Sequence, residues 1–421
     1  MRRNAVAVVA AVCLIASCGA AAAGQAAPLP ARATLEQVLK ILDERSPRTA
    51  AERATIDVTA ADRITADTLP NPSLTYGGSR LVSGASTGAI TQHQFVVDQP
   101  LLLFGQRQTR RELANLNVSA ERARVATTLA GRRLEVRQAF ATLVARQEEL
   151  RILQDSQAEL QRIAHVVRGR AEAGDSSQYD VLRIDIESRT LQVEVMNAAT
   201  DVEDASGHLA SLLGFPEWLP RADGTLAPGN VPTELSVLWD TAQQRRPRLA
   251  AIRQRQSASR GALALARRAR LPVPDVSAGA LMTREVAGAS AFVGLSIPLA
   301  LFDRNRGPIA RAAAEVEAQM LEAGAEVAEA RAEIERTQKT LLGRRKTLLT
   351  LEGEVVERVP DLRRMAEAAY REGRGGILEL LDASRSLKEI QLLHVRQLET
   401  TKLAEEDLIS AAGLDVTEPL Q

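Results

Sequence analysis

The stretch QPLLLFG at residues 99–105 returns later in the chain as IPLALFD at residues 297–303. Other segments recur in the same order and at nearly the same spacing: RSPRTAA (45–51) as RPRLAA (246–251), LPNP (69–72) as LPVP (271–274), AG (173–174) as EG (372–373), and LLGF (212–215) as AAGL (411–414). Solenoid repeats have periods of about 20–50 residues, and this spacing is several times longer. The duplication therefore predicts two halves of one fold, which we place at 34–214 and 234–414.

Each half shows the same order of predicted elements: helix, strand, strand, long helix, helix. Alternating apolar and polar residues between Pro and Gly predict strands near 71–79, 92–100, 275–283 and 291–298. Segments of about nine residues have the length of a tilted strand that crosses a membrane. The predicted fold class is mainly α with a small β part, built from two tandem repeats.

Each strand pair precedes a very long helical pattern, at 104–170 in the first half and at 304–372 in the second. A helix of this length extends roughly 100 Å, at about 1.5 Å per residue. Pro360 lies inside the second pattern and predicts a kink there. After the first long helix, apolar residues step by three and four without a break, which predicts a coiled-coil seam. The seam residues are Val181, Ile184, Ser188, Leu191, Val195, Ala198, Val202, Ala205, Leu209 and Leu212.

The N-terminal residues predict an export signal. Two arginines precede an apolar run at 5–16, which is too short to span a bilayer. The run closes on Ile15-Ala16-Ser17-Cys18, which predicts a signal peptide at 1–17 and lipid attachment to Cys18. Ordinary signal cleavage near Ala20–Ala23 is the alternative, and the sequence leaves both open.

Composition narrows the class of protein. Both cysteines, Cys13 and Cys18, lie in the signal region, so the mature chain can form no intrachain disulfide. Aromatic residues are only 3% of the chain, which favours long coiled helices over a compact core. The 53 basic and 53 acidic residues balance, so the net charge predicts no nucleic-acid partner. Outside the two halves we expect a linker at 18–33, a Pro- and Gly-rich link at 215–233 and a short tail at 415–421.

Four strands per chain predict an open sheet. In lipid, the edges of such a sheet would leave backbone N–H and C=O groups without hydrogen bonds. Closure then requires strands from other copies of the chain, which gives eight, twelve or sixteen strands in total. The strand count leaves the number of copies open.

Three segments carry a resemblance to a known family: LPNP at 69–72, QPLLLFGQR at 99–107 and IPLALFDRNRG at 297–307. The chain resembles the TolC-like outer-membrane factors (outer membrane efflux proteins) over essentially its whole mature length, and within them the CzcC-like branch that serves heavy-metal exporters. The resemblance implies a homotrimer with a twelve-stranded outer-membrane β-barrel, continuous with a periplasmic α-helical coiled-coil tunnel. The link at 215–233 would then lie in the equatorial region of the tunnel.

The function implied by the resemblance is that of a passive exit duct in the outer membrane of a Gram-negative cell. In a tripartite RND-type efflux system, the duct would receive substrate, here heavy-metal cations, from an inner-membrane RND transporter. A periplasmic adaptor (membrane fusion protein) would join the two, and outer-membrane lipid would surround the barrel.

The resemblance also assigns roles to residues at the far ends of the long helices. Gly174 and Gly373 would form the turns at which the adaptor docks. Glu379 and Asp382 match the acidic residues that ring the periplasmic aperture in the family. On an arbitrary helix, two such residues would be an ordinary solvated face, but their spacing from Gly373 favours the ring.

A latch that holds the closed state is implied in the same way. In the family it joins an Asp after the first turn to a Tyr before the second, and these correspond to Asp180 and Tyr370. The Arg that often strengthens this latch is replaced by Gly375. Arg374 is its neighbour, but a shift of one residue rotates a helical side chain by about 100°.

The sequence gives little support for an enzyme. It contains no Gly-rich phosphate loop and no His-Glu-x-x-His pair. A Gly-x-Ser-x-Gly string occurs at 84–88, but it lies in the Gly- and Ser-rich loop between two predicted strands and not at the strand-to-helix turn of a nucleophile elbow. Its four histidines are dispersed, at His93, His165, His208 and His394. We therefore expect no enzymatic activity, no cofactor and no tight metal site, since a conduit gains nothing by holding its cargo.

Two alternatives to a metal-efflux channel remain at this point. The same channel would also suit drug, siderophore or type I protein export. A protein of another class, a non-channel periplasmic coiled-coil scaffold lipoprotein, would account for the seam but would need no strand pairs.

Overall fold

The structure, a computed structural model, describes residues 28–84, 91–174, 177–284 and 288–414. Cys18 and the tail at 415–421 lie outside these residues. The first elements are β1 (Arg32–Ala33), α1 (Leu35–Glu44), α2 (Pro47–Asp67), β2 (Ser73–Arg80), β3 (Thr91–Pro100), α3 (Gln106–Glu172) and α4 (Gln178–Leu213). They are followed by β4 (Arg221–Ala222), α5 (Leu235–Arg245), α6 (Pro247–Arg268), β5 (Asp275–Arg284), β6 (Gly288–Ser296), α7 (Arg306–Leu351), α8 (Val359–Arg371) and α9 (Ile377–Ala412).

The first helices begin at residues whose chemistry favours a helix start. Thr34 Oγ1 accepts a hydrogen bond from the N–H of Gln37 at 3.3 Å, and Gln37 Oε1 accepts one from the N–H of Thr34 at 3.0 Å. This reciprocal pair is a capping box. Pro47 and Pro247 are the first residues of α2 and α6, where the N–H that proline lacks would have had no helical acceptor.

Strands from both halves form one antiparallel sheet in the order β2-β3-β5-β6. Each half supplies one hairpin, and the pairing of β3 with β5 joins the two hairpins. In this central pair Pro100 lies opposite Asp275, and Thr91 lies opposite Arg284. β2 and β6 are the edge strands, and each has a neighbouring strand on one side only.

The two faces of the sheet differ in polarity. One face carries exposed apolar side chains from all four strands. On it Leu74 lies opposite Val97 and Tyr76 opposite Phe95, and Met282 of β5 and Leu295 of β6 share the same face. The other face is made mostly of small and polar residues, with Val96, Leu281 and Phe292 as its large apolar members. There, Ser277 Oγ donates a hydrogen bond to Asp98 Oδ1 at 2.6 Å. The period-two pattern is that of a sheet with one face suited to an apolar environment.

Two long antiparallel helices dominate the first half. α3 has 67 residues, and α4 returns along it over 36 residues. Ile184, Leu191, Ala198 and Ala205 of α4 are all buried and follow one another at every seventh position. This heptad spacing is the signature of a coiled-coil seam, and these four residues belong to the predicted seam.

The second long helix is interrupted, contrary to the continuous pattern predicted over 304–372. A π-helical turn at Glu352–Val356 separates α7 from α8. Pro360 lies in the first turn of α8, has no N–H to donate to the carbonyl of Val356, and would clash with that carbonyl in a regular helix. The residues that flank the π-turn, Leu351, Glu357 and Arg358, keep right-handed helical backbone angles, so the predicted kink takes the form of a π-bulge between α7 and α8.

Buried carboxylates join the segment between the halves to the end of α9. Glu405 and Glu406 are only 1% and 2% exposed. Glu405 Oε2 accepts a hydrogen bond from the N–H of Gly229 at 2.7 Å, and Glu405 Oε1 accepts one from Lys402 Nζ at 2.7 Å. Glu406 Oε2 lies 3.4 Å from Arg137 Nη1 on α3. Because a buried charge without a partner is very costly, these contacts fix α9 against both α3 and the intervening segment.

A second small sheet lies beside this joint. β1 pairs in parallel with β4, with Arg32 opposite Arg221. Trp218 Nε1 donates a hydrogen bond to the carbonyl of Pro30 at 2.9 Å, and Trp218 packs in the core with Phe140 of α3. No sequence pattern predicted this pairing, because a strand of two residues has no measurable period.

Candidate functional site at the helical tips

The turns that end α3 and α8 use glycine in a left-handed conformation. Gly174 follows α3 with φ +83°, and Gly373 follows α8 with φ +69°. A residue with a Cβ would lose roughly 1–2 kcal/mol in this conformation. After Gly373, the N–H of Arg374 donates to the carbonyl of Ala369 at 2.9 Å, which closes the helix end. Both glycines have open space around them, so the turns are accessible.

The two tips meet through Arg170 of α3 and Tyr370 of α8. The Arg170 guanidinium carbon lies 5.0 Å from the centroid of the Tyr370 ring. Arg170 Nη1 also donates a hydrogen bond to the Tyr370 carbonyl at 3.0 Å. Tyr370 is only 7% exposed and packs in a core with Ile184 and Leu380. The contact therefore joins helices from the two halves at the level of the tips.

Asp180 lies in the first turn of α4. Its carboxylate oxygen Oδ2 accepts a hydrogen bond from the N–H of Ser177 at 3.1 Å, while Ser177 Oγ accepts one from the N–H of Asp180 at 3.2 Å. This is a second capping box, and a negative charge here also suits the positive end of the helix dipole. Asp180 thus stabilises the start of α4, on the opposite side of the turn from Gly174.

The predicted acidic pair lies on the exposed face of α9. Glu379 and Asp382 are exposed, whereas Ile377, Leu380 and Leu381 in the same turns are buried. Residues three apart on a helix share a face, so the two carboxylates project together. The structure therefore places both near the Gly373 turn, on a surface that is free for other molecules or copies to approach.

Basic residues follow the acidic pair one turn later. Arg385 Nη2 donates to Glu187 Oε2 of α4 at 2.8 Å. Hydrogen bonding to Glu187 raises the pKa of the Arg385 guanidinium above its ordinary value, with a smaller contribution from the charge of Asp382. Lys388 forms a similar contact with Glu194 at 2.7 Å. Both cations thus contact carboxylates of α4.

Arg374, the neighbour of the position that lacks the latch Arg, forms an ion pair with Glu372. At Gly375, a Cβ would come within 2.7 Å of Glu379 Oε2 and 3.2 Å of the Ala369 Cβ. The cation that does reach Tyr370 is Arg170, which sequence reasoning missed. The two residues are 200 positions apart, and no local pattern connects them.

The part of the chain that the structure describes contains no group of three or more His, Cys, Asp or Glu side chains arranged to hold a metal ion. In the same part of the chain, no helix is long and apolar enough to cross a membrane.

Comparison with known families identifies the architecture. The family described as "Outer membrane efflux protein" matches residues 38–215 and 238–414. The two matched segments fall in the two repeated halves and cover most of the chain. The chain belongs to the outer membrane efflux protein family. The resemblance at the strand–helix junctions is therefore confirmed at the level of the family.

Relatives of this outer membrane efflux protein are distant in sequence and close in fold. It is 24% identical to "Cobalt-zinc-cadmium resistance protein CzcC" of Cupriavidus metallidurans, over 87% of each chain. It is 26% identical to "Pyoverdine export outer membrane protein OpmQ" of Pseudomonas putida, over 68% of this chain and 63% of that protein. A crystal structure of a membrane protein from Pseudomonas aeruginosa superposes with a TM-score of 0.74 at 19% identity, covering 90% of this chain and 93% of the other.

Family membership fixes the general function. This protein is an outer-membrane efflux channel with a periplasmic helical tunnel, and its family is not enzymatic. The predicted fold class, mainly helical with two repeated halves, is confirmed. The scaffold alternative is wrong for a member of this family.

Proposed function

We propose that this efflux protein is the exit duct of a tripartite RND-type system and that its cargo is heavy-metal cations. Glu379 and Asp382, which stand together on the exposed face of α9 near the Gly373 turn, are the observation that carries the cargo assignment. A ring of carboxylates attracts cations and repels anions, as acidic rings do in cation channels. Similarity to CzcC supports the same class of cargo.

The working unit in this proposal is a homotrimer with twelve strands. Four described strands with two unpaired edges support an assembly in which other copies complete the sheet. The periplasmic adaptor docks at the tips formed by Gly174 and Gly373, and the RND transporter supplies energy from the inner membrane. Three copies of Glu379 and Asp382 then form one acidic aperture.

The channel also has a gate and a lipid anchor. In the resting state, a hydrogen bond between Asp180 and Tyr370 closes the aperture, and the Arg170 contact with Tyr370 takes the place of the missing Arg. At the other end of the protein, Cys18 carries a lipid. The barrel is itself a much stronger membrane anchor than acyl chains, so conduction does not depend on that lipid.

The cargo is tested in a strain that lacks this protein. We expect the strain to become sensitive to Co²⁺, Zn²⁺ or Cd²⁺, and the wild-type protein to restore resistance. A variant with Glu379→Gln and Asp382→Asn should restore it only in part. Unchanged metal sensitivity together with increased drug sensitivity or with siderophore retention would contradict the metal assignment and leave the channel assignment intact.

Siderophore export is the second candidate, and similarity to OpmQ favours it. The same strain distinguishes the two cargoes, because the loss of a siderophore exporter should leave the chelator inside the cell. A periplasmic build-up of siderophore, with normal metal resistance, would support this candidate over metal export.

A further inference from the structure

A cavity of about 190 Å³ lies between the long helices of the two halves. Its wall includes Leu160 of α3, Leu191 of α4, Arg363 of α8 and Ser384 of α9. An apolar cavity of about 150 Å³ is large enough to hold a benzene molecule. This cavity therefore has room for a molecule of about one aromatic ring.

The hydroxyl of Ser384 is the polar group that most needs a partner in this cavity. Its Oγ is buried, and it has no hydrogen-bond partner among the described residues. A serine inside a helix can donate to the carbonyl four residues earlier. Ser156, which lines the same cavity, does so, with its Oγ 2.8 Å from the carbonyl oxygen of Ile152. Because an unpaired buried hydroxyl is costly, an occupant of the cavity is expected to bond with Ser384.

Lys388 lies one helical turn after Ser384 and on the same face of α9, since residues four apart are neighbours on a helix. Its side chain also lines the cavity and is only 13% exposed. Lys388 Nζ donates a hydrogen bond to Glu194 Oε2 of α4 at 2.7 Å, the one such bond that it forms with the described residues. An ammonium group has three N–H donors, so two of them remain for another acceptor.

Two arginines add further donors to the wall of the cavity. Arg363 Nη2 of α8 donates to Glu159 Oε1 of α3 at 2.9 Å, and Arg385 Nη2 of α9 donates to Glu187 Oε2 of α4 at 2.8 Å. A guanidinium group carries five N–H donors. Each arginine uses one of them in these contacts, so both keep donors for an acceptor in the cavity.

The charges of the wall favour an anion over a cation. The cationic lining residues are Arg162, Arg363, Arg385 and Lys388, and the carboxylates are Asp155, Glu159 and Glu187. Each of these carboxylates already forms an ion pair with an arginine. A bound cation would therefore meet occupied acceptors, whereas a bound anion would meet unused donors.

The rest of the wall is apolar. Leu160, Leu191 and Leu381 belong to the core that joins the two helix pairs, and Leu387 lines the cavity beside them. Sites for small molecules commonly combine an apolar lining with a few polar groups that fix the orientation of the ligand. The lining thus suits a molecule with one anionic end and an apolar body.

We propose that this cavity binds a small carboxylate whose apolar body is about the size of one ring. The carboxylate accepts hydrogen bonds from Ser384 and Lys388, with Arg363 on the facing wall, and the body lies among the leucines. This site is separate from the acidic pair Glu379 and Asp382 and does not depend on the identity of the cargo. Because both halves of the chain form its wall, a bound ligand stabilises the folded contact between them.

Benzoate is the probe that tests this site, because it has one ring and one carboxylate. We expect saturable binding of benzoate in isothermal titration calorimetry of the purified full-length protein in detergent at neutral pH. We also expect Tm to rise with the benzoate concentration. Benzylamine has the same ring with a positive charge and should produce neither effect. Equal binding of the two probes would show that the cavity has no preference for a carboxylate and would overturn the proposal.

Two variants and a matched control locate the binding. Lys388→Met keeps a long side chain without the charge and should weaken benzoate binding at least about tenfold. Ser384→Ala removes the unpaired hydroxyl and should weaken it about 3- to 10-fold. The control is Lys339→Met, which removes the same charge from an exposed position on α7, a helix that does not line the cavity. The affinity of this control for benzoate should equal that of the wild type.

A wild-type protein that shows no saturable binding of benzoate would mean that water alone fills the cavity, and the proposal would be wrong. Binding that neither Lys388→Met nor Ser384→Ala weakens would place benzoate elsewhere on the protein and would also overturn it. Circular dichroism shows whether each variant is folded. If Lys388→Met does not fold, Ser384→Ala decides the test, because it removes a hydroxyl that bonds with no described residue.

Discussion

Arg170 of α3 lies over the ring of Tyr370 of α8, with 5.0 Å between the guanidinium carbon and the ring centroid. The same side chain donates a hydrogen bond to the Tyr370 carbonyl at 3.0 Å. Since α3 belongs to the first half and α8 to the second, this one residue joins the two tips. In a gated channel, such a contact restrains the separation of the helices.

Removing the Arg170–Tyr370 contact should make the closed state of the channel less stable. Arg170→Leu eliminates both the cation–π contact and the hydrogen bond, which together contribute about 1–3 kcal/mol per subunit. We expect a higher resting conductance in planar bilayers. Tyr370→Phe keeps the ring and the carbonyl and removes only the hydroxyl proposed to bond with Asp180. If Tyr370→Phe conducts like the wild type while Arg170→Leu opens, the latch is the Arg170 contact and not the Asp180 hydrogen bond.

Neutralising the acidic pair should change ion selectivity and leave gating alone. Three copies of Glu379 and Asp382 would place up to six carboxylates around one opening, within about one Debye length of each other. Glu379→Gln with Asp382→Asn should shift the reversal potential toward zero in a salt gradient and abolish block by divalent cations. The matched control is Glu36→Gln with Glu44→Gln, two exposed carboxylates of α1. An equal loss of cation preference in both double variants would mean that Glu379 and Asp382 belong to an ordinary solvated helix face and form no selectivity ring.

Adding a methyl group to Gly373, which has a left-handed backbone conformation, should destabilise the turn at the second tip. Gly373→Ala should destabilise the turn by about 1–2 kcal/mol, because φ is +69° there and alanine disfavours that region. Gly343→Ala is the control, since Gly343 lies inside α7 with nothing within 4 Å of an added Cβ. That change should stabilise the helix by roughly 0.5–1 kcal/mol. Hydrogen exchange of the tip amides should rise in the first variant and not in the second.

The contributions of two carboxyl groups to folding stability should change with pH in opposite directions. Burial raises the pKa of the Asp407 carboxyl, although Gln138 Nε2 donates to it at 2.7 Å. The folded protein therefore holds this proton more tightly than the unfolded chain, and stability falls as the pH rises from the ordinary carboxyl pKa through the raised one. Asp407→Asn should be more stable than the wild type at neutral pH, with a difference that disappears below a pH of about 4.

Glu121 provides the opposite case. Hydrogen bonding to Arg124 lowers the pKa of the Glu121 carboxyl, burial opposes this, and a hydrogen bond from Thr55 adds to the lowering. Its stabilisation is present above the ordinary carboxyl pKa and is lost as the pH falls through the lowered one. Glu121→Gln should therefore be less stable than the wild type at neutral pH. Thermal unfolding at neutral pH, followed by circular dichroism, measures the stability of both variants. A change in Tm of the same sign in Asp407→Asn and Glu121→Gln would contradict the two pKa directions.

Lipid attachment to Cys18 is tested by mass spectrometry of the mature N-terminus. Cys18→Ala should abolish a lipid mass that the wild type carries, and conductance in planar bilayers should be unchanged. Identical masses apart from the substitution itself would mean that ordinary signal peptidase cleaves the chain.

Much of the fold could be predicted from the sequence because its signals are local. The Pro- and Gly-bounded strands, the capping Thr34 and the heptad steps from Ile184 to Ala205 each depend on residues a few positions apart. The duplication is visible because similar segments recur in order. These patterns were sufficient for the fold class, and the resemblance of the strand–helix junctions was sufficient for the family.

Only the tertiary structure decided which distant residues meet. The pairing of β3 with β5, the burial of Glu405 beside Gly229, and the stacking of Arg170 on Tyr370 all join residues far apart in the chain. Such contacts depend on how completed helices and strands pack, so they leave no period in the sequence. Pro360 lies between these cases. The sequence by itself determined that the helix must be disturbed there, because proline lacks the N–H for a helical hydrogen bond, and only the tertiary structure shows that the disturbance is a π-turn at Glu352–Val356.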